Sequence, residues 1–276
     1  MRRPYHEQRE AKPARVPAAA RQSQILHAVA RDGFVTVSNV APRLGVSEMT
    51  VRRDFGVLEE KGLVSRTHGG AVRREVFDAE EPIFERRRRA NAGAKEVVAR
   101  AAAALVRPGE TIGLDVGTTA LALAEELGRR SDLRIFTNNL RAAIQLSAGR
   151  SPVYLPGGLV RDSELSVVGP AAVAQLRTYF LDRVFIGVSG LIQSGFYDYS
   201  LEDCEVKRAF IDQAGQIVVL CDASKFDHRS LALVCALAEV DVLVTDRAPP
   251  SHLADALGAA DVQVVVGDGG APAMAD

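Results

Sequence analysis

The stretch from Thr36 to Val72 leaves the chain little choice of local structure. Apolar residues at Val37, Val40, Ala41 and Leu44 fall at i, i+3, i+4 and i+7, one face of a short helix that Thr36 can cap and Gly45 can end. After the tight Gly45-Val46 turn, Ser47 is placed to cap a further helix starting at Glu48. Two short capped helices a few residues apart define a helix-turn-helix. Pro42 is awkward inside the first of them, because it deletes one backbone hydrogen bond and crowds the preceding turn, so a local distortion is expected there.

With about 100° of rotation per residue, Val51, Phe55 and Leu58 share the inner face of the later helix. Met49, Arg53 and Gly56 lie opposite, flanked by Thr50 and Arg52. Such an outer face suits a DNA major groove: Arg bonds guanine O6 and N7 bidentately, Thr offers a hydroxyl and a methyl, and Gly56 permits close approach. An isolated Arg-Arg pair is ordinarily a solvated face; the caps, the turn and the apolar stripe together favour the groove-reading helix. Lys61-Gly62 ends it. Leu63–Thr67, the turn His68-Gly69-Gly70 and the return Ala71-Val72-Arg73 then read as a hairpin wing carrying Arg66 and His68 to phosphates. Upstream, Ile25, Leu26 and Val29 mark a helix from Gln22 that stops at Asp32-Gly33, and residues 1–20 have the aperiodic polar composition of a disordered arm.

Charge separates along the chain. Residues 1–75 hold 14 Lys+Arg against 8 Asp+Glu, net +6, leaving 20 against 27, net -7, for the remainder. Only the basic head is expected to meet a polyanion. Residues 75–95 read as a connector entering a helix, with Arg86–Arg89 a solvated face paired with Glu80, Glu81 and Glu85.

From residue 96 to 267, short apolar β-branched runs alternate with helical patterns. Strands are expected at Thr111–Leu114, Leu133–Phe136, Val153–Leu155, Val184–Val188, Ile217–Leu220, Val242–Val244 and Val262–Val266. This is the signature of an α/β fold around a mainly parallel sheet covered on both faces, which binds ligands beyond the carboxyl ends of its strands. Asp115-Val116-Gly117-Thr118-Thr119 follows a strand and opens a helix, where amides and hydroxyls can cradle a phosphate. Thr137-Asn138-Asn139, Pro156-Gly157-Gly158 and Asp222-Ala223-Ser224-Lys225 end three further strands, and Lys225 supplies a point charge for a phosphate. The tail, 268–276, is Gly-, Ala- and Asp-rich and expected to fray.

Cys204, Cys221 and Cys235 form no C-x-x-C pair, have no nearby His set and read as buried small hydrophobes in a reducing compartment. No apolar run reaches the ~18 residues a membrane span needs. A cytoplasmic protein without metal or cofactor is expected.

The run from Val37-Ser38 through Leu44–Phe55 to Gly62–Ala71 resembles the amino-terminal domain of the DeoR/GlpR family of bacterial transcriptional regulators. The body resembles that family's sensor domain at Asp115–Thr119, Thr137-Asn138-Asn139, Pro156-Gly157-Gly158, Val168-Gly169-Pro170, Glu205-Val206-Lys207-Arg208-Ala209 and Asp222–Lys225. The resemblance, which spans about residues 20–247, implies a winged helix-turn-helix (21–74) followed by a larger α/β sensor domain (96–267) similar in fold to ribose-5-phosphate isomerase. It further implies a repressor of an operator on double-stranded DNA, answering to a phosphorylated sugar or polyol, with Ser47, Met49, Thr50, Arg52, Arg53, Arg66 and His68 toward DNA. The effector would meet Asp115, Gly117, Thr118, Thr119, Asn138, Gly157, Gly158, Ser189, Glu205, Lys207, Asp222 and Lys225. One departure stands out: where the family usually has Gly-Ala-Asp-Gly, this chain has Gly187-Val188-Ser189-Gly190. Ser189 still offers one hydrogen bond, but the loop lacks the carboxylate that proton abstraction from a sugar requires. That lowers the rival reading, a sugar-phosphate isomerase carrying a DNA-binding appendage. Because a helix-turn-helix normally reads two half-sites, a homodimer or homotetramer is expected.

Overall fold

Helix α1 (Ala18–Asp32) starts four residues before the expected Gln22, because Ala18-Ala19-Ala20 are strong helix formers that lose no side-chain entropy. It opens the computed structural model, which describes residues 17–32, 34–61, 63–67, 69–73, 76–77 and 81–268. Most of the arm, His68, Gly33, Gly62, Glu80 and residues 269–276 of the tail lie outside the described residues. The chain divides into two compact units, Met1–Arg74 and Glu75–Asp276.

In the first unit α1 is followed by β1 (Phe34–Thr36), α2 (Val37–Leu44), α3 (Glu48–Glu60), β2 (Val64–Thr67) and β3 (Gly70–Arg73). Thr36 Oγ1 accepts from the Asn39 amide at 3.1 Å and Ser47 Oγ from the Thr50 amide at 3.3 Å, so both expected caps form. Gly45 closes α2 at φ 62, its amide reaching the carbonyls of Ala41 and Pro42. The helix continues through Pro42 rather than breaking, since the residue sits near its exposed carboxyl end. Ile25, Val29, Val40, Val51, Phe55 and Leu58 meet in one core. The expected hairpin forms between β2 and β3, and β1 adds an unforeseen third strand by pairing with β3. Gly70 makes that pairing possible: a Cβ there would lie 2.4 Å from the Val35 carbonyl oxygen and 2.6 Å from the Phe34 ring.

The second unit begins with β4 (Val76–Phe77), α4 (Phe84–Arg89) and α5 (Ala92–Ala104). Then come β5 (Thr111–Leu114), α6 (Thr118–Leu127), β6 (Arg134–Thr137), α7 (Leu140–Ser147) and β7 (Val153–Tyr154). A ribbon of β8 (Leu159–Arg161) and β9 (Ser166–Val168) precedes α8 (Pro170–Leu176), β10 (Arg183–Gly187), β11 (Gly190–Ile192), β12 (Gly195–Asp198), α9 (Leu201–Asp212) and β13 (Ile217–Leu220). After a 3-10 turn at Ala223–Lys225, β14 (His228–Arg229), β15 (Ala232–Cys235), β16 (Val242–Thr245), α10 (Ser251–Ala259) and β17 (Gln263–Val266) complete it.

All seven runs expected as strands join one sheet, in the order β17-β16-β13-β10-β5-β6-β7, and every neighbouring pair is parallel. Alternate residues feed two cores: Val184 and Ile186 pack with α8, α9 and α10, while Phe185 packs with α5, α6 and α7. From β5 the chain winds outward to β6 and β7, then returns to β10 beside β5 and winds outward the other way. The reversal opens a crevice at the carboxyl ends of β5 and β10, where open α/β sheets take their ligands. A small antiparallel sheet, β11-β12-β15, stands beside that crevice. The three cysteines are buried and free, and burial pushes the Cys204 and Cys235 thiols up to about 12. Among the described residues no helix is long and apolar enough to cross a membrane.

Candidate functional site

In the first unit, α3 presents Met49, Arg52 and Arg53 outward, with Met49 66% exposed, while Val51, Phe55 and Leu58 are buried. Arg52 pairs with Glu48 one turn back at 3.1 Å; Arg53 has no ion-pair partner among the described residues. The Thr50 hydroxyl lies 2.9 Å from Ser47 Oγ, so both hydroxyls also belong to the cap. Arg66 stands exposed on β2, its amide donating to Glu59. Asp54, which faces neither way in the sequence pattern, is buried and anchors α3: it accepts from Arg21 Nε at 2.8 Å and from Gln22 at 3.3 Å.

In the second unit, a cavity of about 290 Å³ lies at the carboxyl ends of β5, β10 and β13. One wall is the start of α6, where Gly117, Thr118 and Thr119 line the space. Gly117 adopts φ 122, open to glycine, and nothing stands within 4 Å of where its Cβ would be. Unpaired amides and the helix dipole make such a terminus attractive to an anion. Ser189 and Lys225 supply a second wall. Asp222 Oδ1 accepts from the Ser224 amide at 3.0 Å, which fixes the turn presenting Lys225. The remaining wall is Pro82, Arg86, Arg87, Asn91 and Lys95. Four cationic side chains thus face two carboxylates, Asp198 and Asp222. Lys95 Nζ donates to the carbonyls of Arg87 and Ala90. Burial pulls its ammonium down to about 8, Asp222 opposing and Lys225 and Arg87 adding to the effect.

Beneath the cavity, Lys207 is fully buried and holds three groups at once: the Asp115 carboxylate, the Gly187 carbonyl at 2.9 Å and the Asp198 carboxylate at 3.1 Å. Asp115 also accepts from the Gly187 amide at 3.1 Å, tying the end of β5 to the end of β10. Burial works against the Lys207 charge, but Asp115, Asp198 and Asp203 outweigh it and hold the ammonium above its ordinary range. Burial pushes Asp115 up to about 6 against the pull of Lys207.

Of the residues expected at the effector, Gly117, Thr118, Thr119, Ser189, Asp222 and Lys225 line one cavity. Asp115 and Lys207 form its underlying support. Asn138, Gly157, Gly158 and Glu205 do not line it. Asn138 is buried and donates to the Val167 carbonyl, the Gly157 amide donates to Gln175 on α8, a Cβ on Gly158 would meet the Val168 carbonyl at 2.6 Å, and Glu205 is exposed on α9. Sequence reasoning missed Arg86, Arg87, Asn91, Lys95 and Asp198. Asp198 ends β12, and the partnership that brings it in is with β15, far along the chain; it places a carboxylate in the cavity where the Ser189 loop has none. The four arginines are not one solvated face either. Arg87 is half-buried, donates to the Pro82 carbonyl at 3.1 Å and pairs with Glu81 and Glu164. Arg161 joins Glu81, at 2.7 Å, to Asp203 on α9.

Residues 21–76 match the family described as "DeoR-like helix-turn-helix domain", and residues 90–247 match "DeoR C terminal sensor domain". The chain belongs to the DeoR family. It is therefore a transcriptional regulator that binds DNA. This DeoR-family chain is 34% identical to the HTH-type transcriptional regulator YgbI of Escherichia coli K12, over 91% of itself and 98% of that protein. It is 30% identical to the glycerol-3-phosphate regulon repressor of the same organism, over 83% of itself and 91% of that protein. Among solved structures, ribose 5-phosphate isomerase A from Methanocaldococcus jannaschii aligns at 22% identity over 50% of this chain and 55% of its own, with a TM-score of 0.39.

Proposed function

We propose that this regulator is a repressor whose hold on its operator is changed by a phosphorylated sugar or polyol bound in the cavity of the second unit. The observation that carries the reading is the make-up of that cavity. A helix N-terminus, two threonines and an excess of cationic side chains converge at the reversal point of a parallel sheet, and these are the groups that a phosphate and its hydroxylated carrier require. Thr118, Thr119 and Lys225 take the phosphate. Ser189, Asp198 and Asp222 face the hydroxyls. Arg86, Arg87 and Lys95 belong to the segment that follows the DNA-binding unit in sequence, so an anion held by them bears directly on the connector. At the other end, Arg52, Arg53 and Thr50 read bases, helped by Met49 and Ser47, and Arg66 and His68 meet the backbone.

A screen of phosphorylated sugars and polyols by thermal shift, glycerol 3-phosphate included because a relative is named for it, tests the ligand half. A hit at 100 times its dissociation constant stabilises the native state by about 2.7 kcal/mol; it is expected to raise the melting temperature of the wild type, not of Lys225→Ala, and to alter a gel-shift without being turned over. An intact shift in Lys225→Ala removes the phosphate from this cavity. The DNA half fails if Arg52→Ala combined with Arg53→Ala leaves sequence-specific binding unchanged, since each lost base contact costs ~1–3 kcal/mol. Steady turnover of a pentose or hexose phosphate favours the isomerase reading, which Asp198 keeps in play as a carboxylate but which its pairing with Lys207 disfavours.

A further inference from the structure

We infer that Asp198 sets the specificity of the cavity. It calls for a hydroxyl at the unphosphorylated end of the effector and turns away a second anionic group, so the effector is a singly phosphorylated polyol or neutral sugar and not a phosphorylated sugar acid or a bisphosphate. The inference rests on the cavity being a phosphate site and adds what the rest of the molecule must look like. Asp198 ends β12 and lines the cavity, with its side chain 14% exposed. Its Oδ1 accepts from the Tyr199 amide at 2.8 Å, and its Oδ2 lies 3.1 Å from Lys207 Nζ. A carboxylate offers about four lone-pair positions and no hydrogen, so room remains for hydroxyl donors from the cavity. Ser189 cannot match it. Its hydroxyl hydrogen is taken up inside the protein, with Ser230 Oγ at 2.7 Å and the Tyr197 carbonyl at 3.2 Å, and a neutral oxygen accepts more weakly than a charged one.

Beneath the cavity, carboxylates outnumber the cation that holds them. Lys207 meets both Asp115 and Asp198, while Asp203 is taken by Arg161. Asp115, pushed up to about 6 by burial, is ionised at neutral pH, and its Oδ1 has no hydrogen-bond partner among the described residues. One ammonium therefore balances one of two carboxylates. Because Asp115 and Lys207 are buried and Asp198 reaches the lining, the surplus negative charge is felt at Asp198. The phosphate end has the opposite sign. Thr118 and Lys95 also border a common neighbouring recess, and Asp222, Lys225 and Arg87 are the charges that act on Lys95. Arg87 is committed to Glu81 and Glu164. Arg86, Lys95 and Lys225 make no ion pair among the described residues, and against Asp222 they leave an excess of two positive charges, which one phosphate dianion meets. A second anion finds no cation left and a carboxylate facing it, the kind of repulsive element that separates otherwise similar ligands. At about 290 Å³ the cavity is near the lower end of the ~300–1,000 Å³ usual for ligand sites, so a carbon chain leaving the phosphate has little room to avoid that wall.

Calorimetric titration of the full chain at neutral pH with matched probes tests the assignment: glycerol 3-phosphate against 3-phosphoglycerate, sorbitol 6-phosphate against 6-phosphogluconate, and fructose 6-phosphate against fructose 1,6-bisphosphate. The wild type is expected to bind the first member of a pair at least about tenfold more tightly than the second. Asp198→Asn keeps an oxygen for Lys207 or the Tyr199 amide but removes the charge. It should bind the acid or bisphosphate at least about tenfold more tightly than the wild type does, bringing the preference toward one. A purely structural Asp198 would weaken both members alike, so the gain of an acidic ligand is the decisive readout. Should Asp198→Asn misfold, Asp198→Thr, whose β-branched side chain suits a strand and whose hydroxyl can accept the same bonds, is expected to show the same gain. A wild type that takes the acid as well as the alcohol overturns the inference and leaves the phosphate site standing, as does a folded variant that keeps the wild-type preference. If none of the probes binds the wild type, the phosphate reading of the cavity falls, and this inference falls with it.

Discussion

Lys95 brings its ammonium into the cavity wall at 6% exposure, and burial sets that group near a physiological transition, at about 8. In the empty site the charge is present below that pH and lost above it, the reverse of an exposed lysine that keeps its charge past pH 10. A phosphate monoester is already dianionic above its second pKa near 6, so the ligand's own charge is constant through this window. Effector affinity is therefore expected to hold up to about pH 8 and then to fall by up to about tenfold per pH unit. Because the bound dianion draws the Lys95 pKa back up, binding near pH 8 should take up a fraction of a proton, visible by calorimetry in two buffers of different ionisation enthalpy. Lys95→Met should bind more weakly and show neither effect. If its pH profile matches the wild type, another group titrates.

Among the elements, α3 depends on a contact that its apolar stripe does not reveal. Asp54 and Arg21 have side-chain exposures of 4% and 13% and join α3 to α1 across 33 positions of sequence. Removing one member of a buried pair strands the other and costs ~3–5 kcal/mol when both are fully buried; with Arg21 partly solvated, Asp54→Ala should cost about 2 kcal/mol or more. The loss belongs to one unit only, so amide exchange should quicken along α1 and α3 while β10 and β13 keep their protection. Unchanged exchange in α3 would leave Asp54 without its anchoring role. The same contrast between local pattern and distant contact marks what was legible in the sequence. The seven strands of the main sheet could be read because each is a short apolar run, and the caps at Thr36 and Ser47 because capping is decided within four residues. β1, β11, β12 and β14 could not, since glycine or polar residues interrupt Phe34–Thr36, Gly190–Ile192, Gly195–Asp198 and His228–Arg229, and apart from the local β11–β12 hairpin their partners lie far off: Phe196 opposite Cys235, His228 opposite Val76. The effector loops were recognisable one by one, but sheet order was not. Asn138 and Gly157 follow β6 and β7, which lie one and two strands outward of β5, and so end up away from the loops of β5, β10 and β13.

For the whole molecule, regulation requires that the cavity and the DNA-binding unit share an equilibrium, and any such coupling is reciprocal: if effector changes operator affinity by some factor, operator changes effector affinity by the same factor. Typical couplings of ~1–3 kcal/mol correspond to roughly 5–150-fold. The second unit offers two physical routes to the connector. Arg86 and Arg87 line the cavity, with Arg87 clamped to Glu81 and Glu164. Ser189, also in the lining, donates to Ser230 at 2.7 Å, next to the β14 strand that pairs with β4. Glu81 is the junction of the first route, bonded to both Arg87 and Arg161 but absent from the cavity wall. Glu81→Gln keeps the shape and much of the hydrogen bonding while removing the charge that couples the two arginines. It should leave effector affinity within about threefold of wild type in the absence of DNA, and operator affinity likewise in the absence of effector, because it touches neither ligand; an effect of that size is below 1 kcal/mol. What should shrink is the ratio between effector affinities measured with and without saturating operator, from the wild-type factor toward one. Titrating effector against free and operator-bound protein, and operator against free and effector-bound protein, gives the ratio twice over. If Glu81→Gln preserves the full wild-type ratio, the Glu81 junction does not carry the coupling, and the β14–β4 pairing becomes the route to examine through Ser230→Ala.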